Sequence, residues 1–232
     1  MPAPLSPLLT GMKAAVFDVD GTLLDSMPAW DNVSLSYLQK RGLTPEPGLS
    51  DTFNRLSLEQ IAVYYQTHYG IRDDIPTIVR ENVAFIEQAY RERIPLKPGV
   101  KEFLFTLQRC GIPMALATAS EKESVCAALQ RCGVLSCFSV ILTCTQVGAG
   151  KDTPLIFRRC AEELHTSPIN TFVFEDSLYA ARTARAAGFP VIGVYDDSAR
   201  ADEDAMRQLC TGYVPGFDSL LPTGEAEKEG LS

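Results

Sequence analysis

The segment "VFDVDGTLLDS", Val16 to Ser26, sets Asp18 and Asp20 two residues apart, directly after an apolar run and just ahead of Gly21. Two carboxylates at the end of a buried strand repel each other in a low-dielectric site unless a cation joins them. Three other stretches end on side chains of complementary kind. "PMALATAS" ends with Thr118 and Ser120, "TFVFEDS" carries Glu175 and Asp176, and Lys151 follows "SVILTC" after the glycine-rich "VGAG". In an open parallel sheet, the carboxyl ends of the strands share one crevice. The four stretches are therefore expected to build one pocket holding several carboxylates, a hydroxyl and a single lysine. All-oxygen donors from a few carboxylates, completed by water, suit Mg2+. A metal and an ammonium beside a free carboxylate oxygen suit a phosphate ester. In that chemistry Asp18 attacks phosphorus while the two cations screen the repulsion between anions. Asp20 lends a proton to the departing alcohol and later takes one from water.

Two look-alike motifs do not hold. "DVDG" resembles the opening of a calcium loop, but the glutamate that loop requires falls on Ala29, and the apolar strand in front is out of place. "GAGKD" resembles the end of a nucleotide P-loop. The first glycine of that motif would fall on Thr145, and Lys151 is followed by Asp152 instead of Ser or Thr.

The elements that must position these groups are legible as alternating patterns. Five short runs rich in apolar and β-branched residues start at Ala14, Pro113, Ser139, Thr171 and Pro190. Most are continuously apolar, the pattern of strands buried on both faces. Helical patterns lie between them at Val100 to Arg109, Lys122 to Arg131, Pro154 to Leu164 and Leu178 to Ala187, with Gly111, Gly133 and Gly188 as stops. Strands alternating with helices predict an α/β fold with a doubly wound, Rossmann-like parallel sheet. The rhythm breaks once. Between the first strand and Pro113 nothing strand-like appears, and Pro28 to Ile94 reads as three helices. The second opens with Ser57 as N-cap and Gln60 as its capping-box partner, and stops at Gly70. The expected organisation is an α/β core over 1–27 and 95–225, an all-helical insert over 28–94, with "PLKPG" as return linker, and a polar tail over 226–232.

Bulk properties narrow the function class. The chain has 232 residues and a formal net charge of −8, with no basic surplus to neutralise a nucleic-acid polymer. A small anionic partner stays possible, because one metal and one lysine can set a local field. The seven cysteines form no CxxC pair, so reduced thiols in the core of a cytoplasmic protein are expected. No apolar run approaches the ~18–20 residues that span a bilayer, and the first residues lack a signal-peptide core. A soluble monomer acting on a small phosphorylated metabolite, away from membranes, is the expectation.

"DVDGT", "ATAS", the solitary Lys151 and "FEDS", in this order, resemble the four motifs of the haloacid dehalogenase superfamily, and the match runs over essentially the whole chain. The helical insert is similar to that superfamily's C1-type cap, as found in β-phosphoglucomutase-like and phosphoglycolate phosphatase-like members. The resemblance implies that Asp18 is the nucleophile forming an aspartyl-phosphate and Asp20 the acid/base. It implies that Thr118 hydrogen-bonds the phosphoryl group, Lys151 steadies it, and the Val19 and Ala119 amides cradle it beside Ser120. Mg2+ would be held by the Asp18 carboxylate, the Asp20 backbone carbonyl and Asp176, with Glu175 acting through water or behind the ligands. The family's fourth motif is often followed by a glycine-containing helix start, where this chain has Tyr179 and Ala180.

Asp20 sorts the branches. Dehalogenases of this fold lack it in this form, because halide leaves without a proton. Phosphonate-cleaving relatives place a lysine early in the cap, and "SMPAWDN" contains none. Relative to β-phosphoglucomutase, the expected histidine falls on Trp30 and the expected arginine on Leu58. Water is then the expected acceptor, with a phosphomutase and a non-catalytic binding protein of the same fold as alternatives. Asn54, Arg55, Trp30 and Tyr64 are the candidate substrate-selecting residues of the insert.

Overall fold

The computed structural model describes residues 5–53 and 56–221. The expected tail over 226–232, together with Asn54 and Arg55, lies outside the described residues. The chain divides into two compact units, one formed by Met1–Asp25 with Pro95–Ser232 and the other by Ser26–Ile94.

The first unit is built on a six-stranded parallel sheet. The strands are β1 (Ala14–Phe17), β2 (Met114–Thr118), β3 (Val140–Thr143), β4 (Thr171–Glu175), β5 (Val191–Val194) and β6 (Gly212–Val214), in the order β3-β2-β1-β4-β5-β6. The chain moves outward from β1 through β2 to β3, then returns to lay β4 on the other side of β1. That reversal opens a crevice at the carboxyl end of β1. β1, β2, β4 and β5 are fully buried, as their continuous apolar runs predict. β3 is a correction, because three of its four residues are only half-buried at the sheet edge. β6 is a second, since "GYV" is short and flanked by Pro215 and Gly216, so its local pattern reads as a turn.

Six helices belong to this unit: α5 (Val100–Arg109), α6 (Lys122–Cys132), α7 (Cys144–Val147), α8 (Leu155–Glu163), α9 (Leu178–Ala186) and α10 (Glu203–Leu209). One sheet face packs Ala14, Val16, Ala117, Val173 and Val191 against Ile156, Phe157, Cys160 and Ala161 of α8 and Ala180, Ala181 and Ala184 of α9. The small residues let α9 lie close to the strands. On the alternate positions of β1, Phe17 stacks on Phe174 at 4.5 Å and meets Phe103 and Phe138 edge-on at 6.4 and 6.0 Å. The core anchors the strand end that carries Asp18. Only Cys137 and Cys160 of the seven cysteines are buried, so the expectation of core thiols holds for two; the other five are half-buried.

Among the described residues the helical unit holds four α-helices, one more than the sequence predicts: α1 (Met27–Lys40), α2 (Leu49–Phe53), α3 (Leu58–Tyr69) and α4 (Ile75–Glu92). α2 is too short to show a helical period. α1 begins at Met27, ahead of Pro28, because a proline in the first turn removes an N–H that has no partner there anyway. The Ser57–Gln60 capping box forms on α3, and Gly70 closes it with φ 66°. Tyr37 and Tyr65 stack at 4.8 Å, and Phe53 meets Tyr65 edge-on at 5.4 Å, giving this unit its own aromatic core.

The two chain crossings leave the α/β unit side by side. Leu24 bridges Leu96 in antiparallel fashion, the Asp25 N–H donates to Pro95 O at 3.0 Å, and the Lys97 N–H donates to Leu23 O at 2.9 Å.

Phe17→Ala is expected to cost about 3–5 kcal/mol, the range for deleting a large buried aromatic. Chemical unfolding followed by far-ultraviolet circular dichroism should show the loss. Fluorescence of Trp30, the single tryptophan, reports the helical unit separately. An unchanged dichroism midpoint would show that the Phe17 cluster does not hold the sheet.

Candidate active site

The chain leaves β1 in a tight loop. The Asp18 N–H still pairs with Phe174 O at 3.0 Å, and Val19 O then accepts the N–H groups of Leu23 and Leu24 at 2.9 and 2.8 Å. Gly21 sits inside this loop with φ +79°, and an added Cβ would lie 2.5 Å from Asp176 Oδ2. Conformation and close approach together demand glycine. The approach lets the Asp176 carboxylate reach the loop, where the Thr22 hydroxyl donates to its Oδ1 at 3.2 Å.

Lys151 follows the short helix α7 after the non-helical stretch 148–150. Thr143 and Gln146 form a reciprocal capping box on α7, and Gly148 closes that helix. The T-x-x-Q spacing carried this signal, and Gly148 and Gly150 lie beyond the helix, as their loop pattern predicts. Lys151 is 4% exposed and donates to Asp18 Oδ1 and to Glu175 Oε1, the latter at 2.7 Å. Glu175 Oε2 is occupied as well, accepting from the Ser177 N–H at 3.0 Å and its hydroxyl at 3.1 Å. Asp18 Oδ2 is buried without a hydrogen-bond partner.

The remaining sequence-predicted residues arrive from β2. The Thr118 hydroxyl oxygen accepts the Ser120 N–H at 3.0 Å, so its own proton stays available to donate. The Ser120 hydroxyl donates to Asp20 Oδ2 at 2.6 Å and ties that carboxylate across to the β2 loop. Val19 is fully buried, whereas Ala119 is exposed. The Thr22, Ser177 and Ser120 contacts were not foreseen, because hydroxyls beside acidic residues are common in turns and only the fold shows which carboxylate each one meets. At the departure after the fourth motif, Ala180 is fully buried against the sheet and Tyr179 is 55% exposed.

The charges do not balance. Asp18, Glu175 and Asp176 each offer an oxygen within 4.8 Å of the others, against the one ammonium of Lys151. Burial pulls the Lys151 pKa down, but the facing Asp18 and Glu175 carboxylates outweigh it and hold the group above its ordinary value. Burial pushes Asp18 up to about 7; Lys151 pulls it back, and Glu175 and Asp20 add to the rise. Asp176 lies well above the ordinary range, through burial first and then repulsion from Glu175 and Asp18. A site this anionic, all oxygen, with a buried unpartnered Asp18 Oδ2, fits a hard divalent cation such as Mg2+. Glu175 is the least available donor, since both its oxygens are already bonded.

In the helical unit, the candidate selectors are used for packing. Trp30 Nε1 donates to the Tyr90 hydroxyl at 3.2 Å. Tyr64 stacks on His68 at 3.8 Å and meets Phe53 edge-on at 5.3 Å.

A family model for haloacid dehalogenase-like hydrolases matches residues 15–194. The chain belongs to this family. Hexitol phosphatase A of Escherichia coli K12 is 28% identical, over 90% of this chain and 98% of its own. The phosphoglycolate phosphatase of Neisseria meningitidis is 25% identical, over 94% of this chain and 97% of its own. A crystal structure of a Thermotoga maritima protein shares the fold with a TM-score of 0.79 at 24% identity, covering 90% of this chain and 97% of that one. The match to the haloacid dehalogenase-like hydrolases takes in β1 through β5, and so every strand end that supplies a carboxylate, the hydroxyl or the lysine.

Two outcomes are expected. Mg2+ should raise Tm, by about 2.7 kcal/mol of stability at 100 times Kd, or roughly 5–10 °C for a chain of this size. The gain should shrink on acidification. The ordinary aspartate value is 3.8, and the folded value of Asp18 is about 7 without metal, so the folded chain holds more protons between the two. Metal-free stability therefore falls as pH rises from about 4 to about 7, and the metal competes with those protons at the low end. Thermal shifts with and without Mg2+ at pH 5.5 and 8 check the sign; equal shifts would place the cation elsewhere. Gly21→Ala should cut the Mg2+-induced shift by more than half, because a methyl displaces the Asp176 carboxylate. A full shift in that variant would remove Asp176 from the cation site.

Proposed function

We propose that the protein is a Mg2+-dependent phosphatase that hydrolyses a small phosphate monoester through an aspartyl-phosphate on Asp18. The observation that carries this reading is the split state of the Asp18 carboxylate. Lys151 holds one oxygen, while the other is buried and unpartnered.

In this scheme an Asp18 oxygen forms a bond to phosphorus as the ester P–O bond breaks. Protonated Asp20 gives its proton to the departing alkoxide, which leaves as the alcohol. Asp20, now a carboxylate, takes a proton from water as the water oxygen bonds to phosphorus, and the bond from phosphorus to Asp18 breaks to release inorganic phosphate. The Ser120 hydrogen bond aims Asp20 for both transfers. Lys151 neutralises phosphoryl charge, and the Thr118 hydroxyl donates to a phosphoryl oxygen, with the Val19 and Ala119 amides beside it. Asp18, the Asp20 backbone carbonyl and Asp176 would hold Mg2+, with Glu175 bracing Lys151 from behind. The cation supplies charge neutralisation that lets one anion approach another.

Relatives named for hexitol and phosphoglycolate phosphatases support a small phosphorylated sugar, sugar alcohol or hydroxy acid as substrate. Water is the acceptor in this reading. Trp30, bonded to Tyr90, and the apolar Leu58 at the start of α3 stand where a phosphomutase would need histidine and arginine.

Phosphate release from a panel of phosphate monoesters, with Mg2+ and with chelator, tests the proposal. Mg2+-dependent turnover is expected, lowered by about 10³-fold or more in Asp18→Asn, the scale seen when a nucleophile is removed. Turnover that survives in Asp18→Asn would rule out the aspartyl-phosphate. No release from any ester by folded protein would overturn the phosphatase reading in favour of a mutase or a non-catalytic binder.

A further inference from the structure

Lys97 lies in the return connection "PLKPG", and its ammonium makes three short contacts. It donates to Gly21 O at 2.7 Å, to Tyr195 O at 2.6 Å and to Asp196 Oδ2 at 2.8 Å. Three donors meet three acceptors, so the ammonium is saturated. The side chains of Lys97 and Asp196 are only 12% and 7% exposed. Asp196 is itself braced, its Oδ1 accepting from the Ser198 N–H at 3.0 Å and hydroxyl at 2.6 Å. A largely buried ion pair held this tightly ties three separate segments together: the loop after β1, the end of β5, and the chain returning at Pro95.

The point of attachment matters. Gly21 is flanked by Asp20 and Thr22. Asp20 carries the proton in the reading above, and Thr22 hydrogen-bonds Asp176. The Asp176 carboxylate occupies the space beside the Gly21 Cα, and the Asp196 carboxyl carbon lies 3.5 Å from the same added Cβ. Pulling on the Gly21 carbonyl therefore sets the direction of both neighbouring side chains.

We propose that Lys97, anchored by Asp196, is a positioning residue that holds the Asp20–Thr22 loop in the geometry needed for proton delivery to the leaving group. This rests on the phosphatase reading and deepens it. Lys97 touches no reacting atom. It acts through the Gly21 peptide, on a backbone that glycine leaves free to turn. Neither residue is conspicuous in the sequence, because Lys97 and Asp196 lie 99 residues apart and each alone reads as an ordinary surface charge.

Leaving-group dependence separates this role from a general structural one. A p-nitrophenolate leaves without protonation, whereas an alkoxide needs the proton from Asp20. Wild type, Lys97→Met, Lys97→Arg and Asp196→Asn are assayed with p-nitrophenyl phosphate and with the best alkyl phosphate of the panel, each at saturating Mg2+. Lys97→Met should lose about 10²-fold in kcat on the alkyl ester, the low end of a general acid's contribution, and less than about 5-fold on p-nitrophenyl phosphate. Lys97→Arg should recover most of the alkyl activity. Asp196→Asn, which leaves two of the three lysine contacts, should show the same asymmetry in milder form and serves if Lys97→Met fails to fold. Equal losses on both esters, or none, would overturn the positioning role while leaving the phosphatase reading intact. A wild type inactive on both esters would overturn both.

Discussion

One ammonium facing three buried carboxylates is the constraint on which the rest of the site depends. Lys151 binds Asp18 and Glu175 directly, and Asp176 completes the acidic group. Burying an unpaired carboxylate costs several kcal/mol, so the fold must supply either compensation or a second cation. It supplies part of the compensation through hydroxyls, from Thr22 to Asp176 and from Ser177 to Glu175. It leaves Asp18 Oδ2 with nothing. In the proposed reading, that uncompensated oxygen is what would receive a metal and, once screened, attack phosphorus. A better-satisfied cluster would then give a more stable protein with a worse nucleophile.

Keeping such a cluster in place requires a stiff frame, and the sheet order provides it. β1 lies between β2 and β4, so Asp18, Thr118 and Glu175 emerge from three adjacent strands. Parallel strands in register set these side chains at comparable heights, with Phe17 opposite both Leu116 and Phe174. The Phe17–Phe174 stack then fixes the neighbouring strand ends from beneath. Lys151 arrives from the β3 side, after the capped helical turn α7 and the non-helical residues 148–150.

Much of this was readable from the chain because burial writes itself into composition. "AAVF", "MALAT", "TFVFE" and "VIGV" are apolar over their whole length, and each became a fully buried strand. The polar ends of three of them, with Lys151, are conspicuous against that background. What was not readable has one physical cause: the signal lies in pairs of residues distant along the chain. β6 has three residues and gains its strand identity only by pairing with β5. α2 is one turn long. Ser120 meets Asp20, and Lys97 meets Asp196, only once the sheet is formed. The sequence also overstated one feature. It read core thiols where five of the seven cysteines are only half-buried.

The division of labour between the two units follows from where each keeps its core. Every carboxylate, hydroxyl and ammonium assigned to the chemistry comes from the α/β unit. The helical unit closes around its own cluster of Tyr37, Tyr65, Phe53 and Ile78. Within the α/β unit the two crossing segments are tied to each other, where Leu24 bridges Leu96 and Lys97 reaches the Gly21 carbonyl. Any strain arriving along the return connection meets the acid-bearing loop at that lysine first.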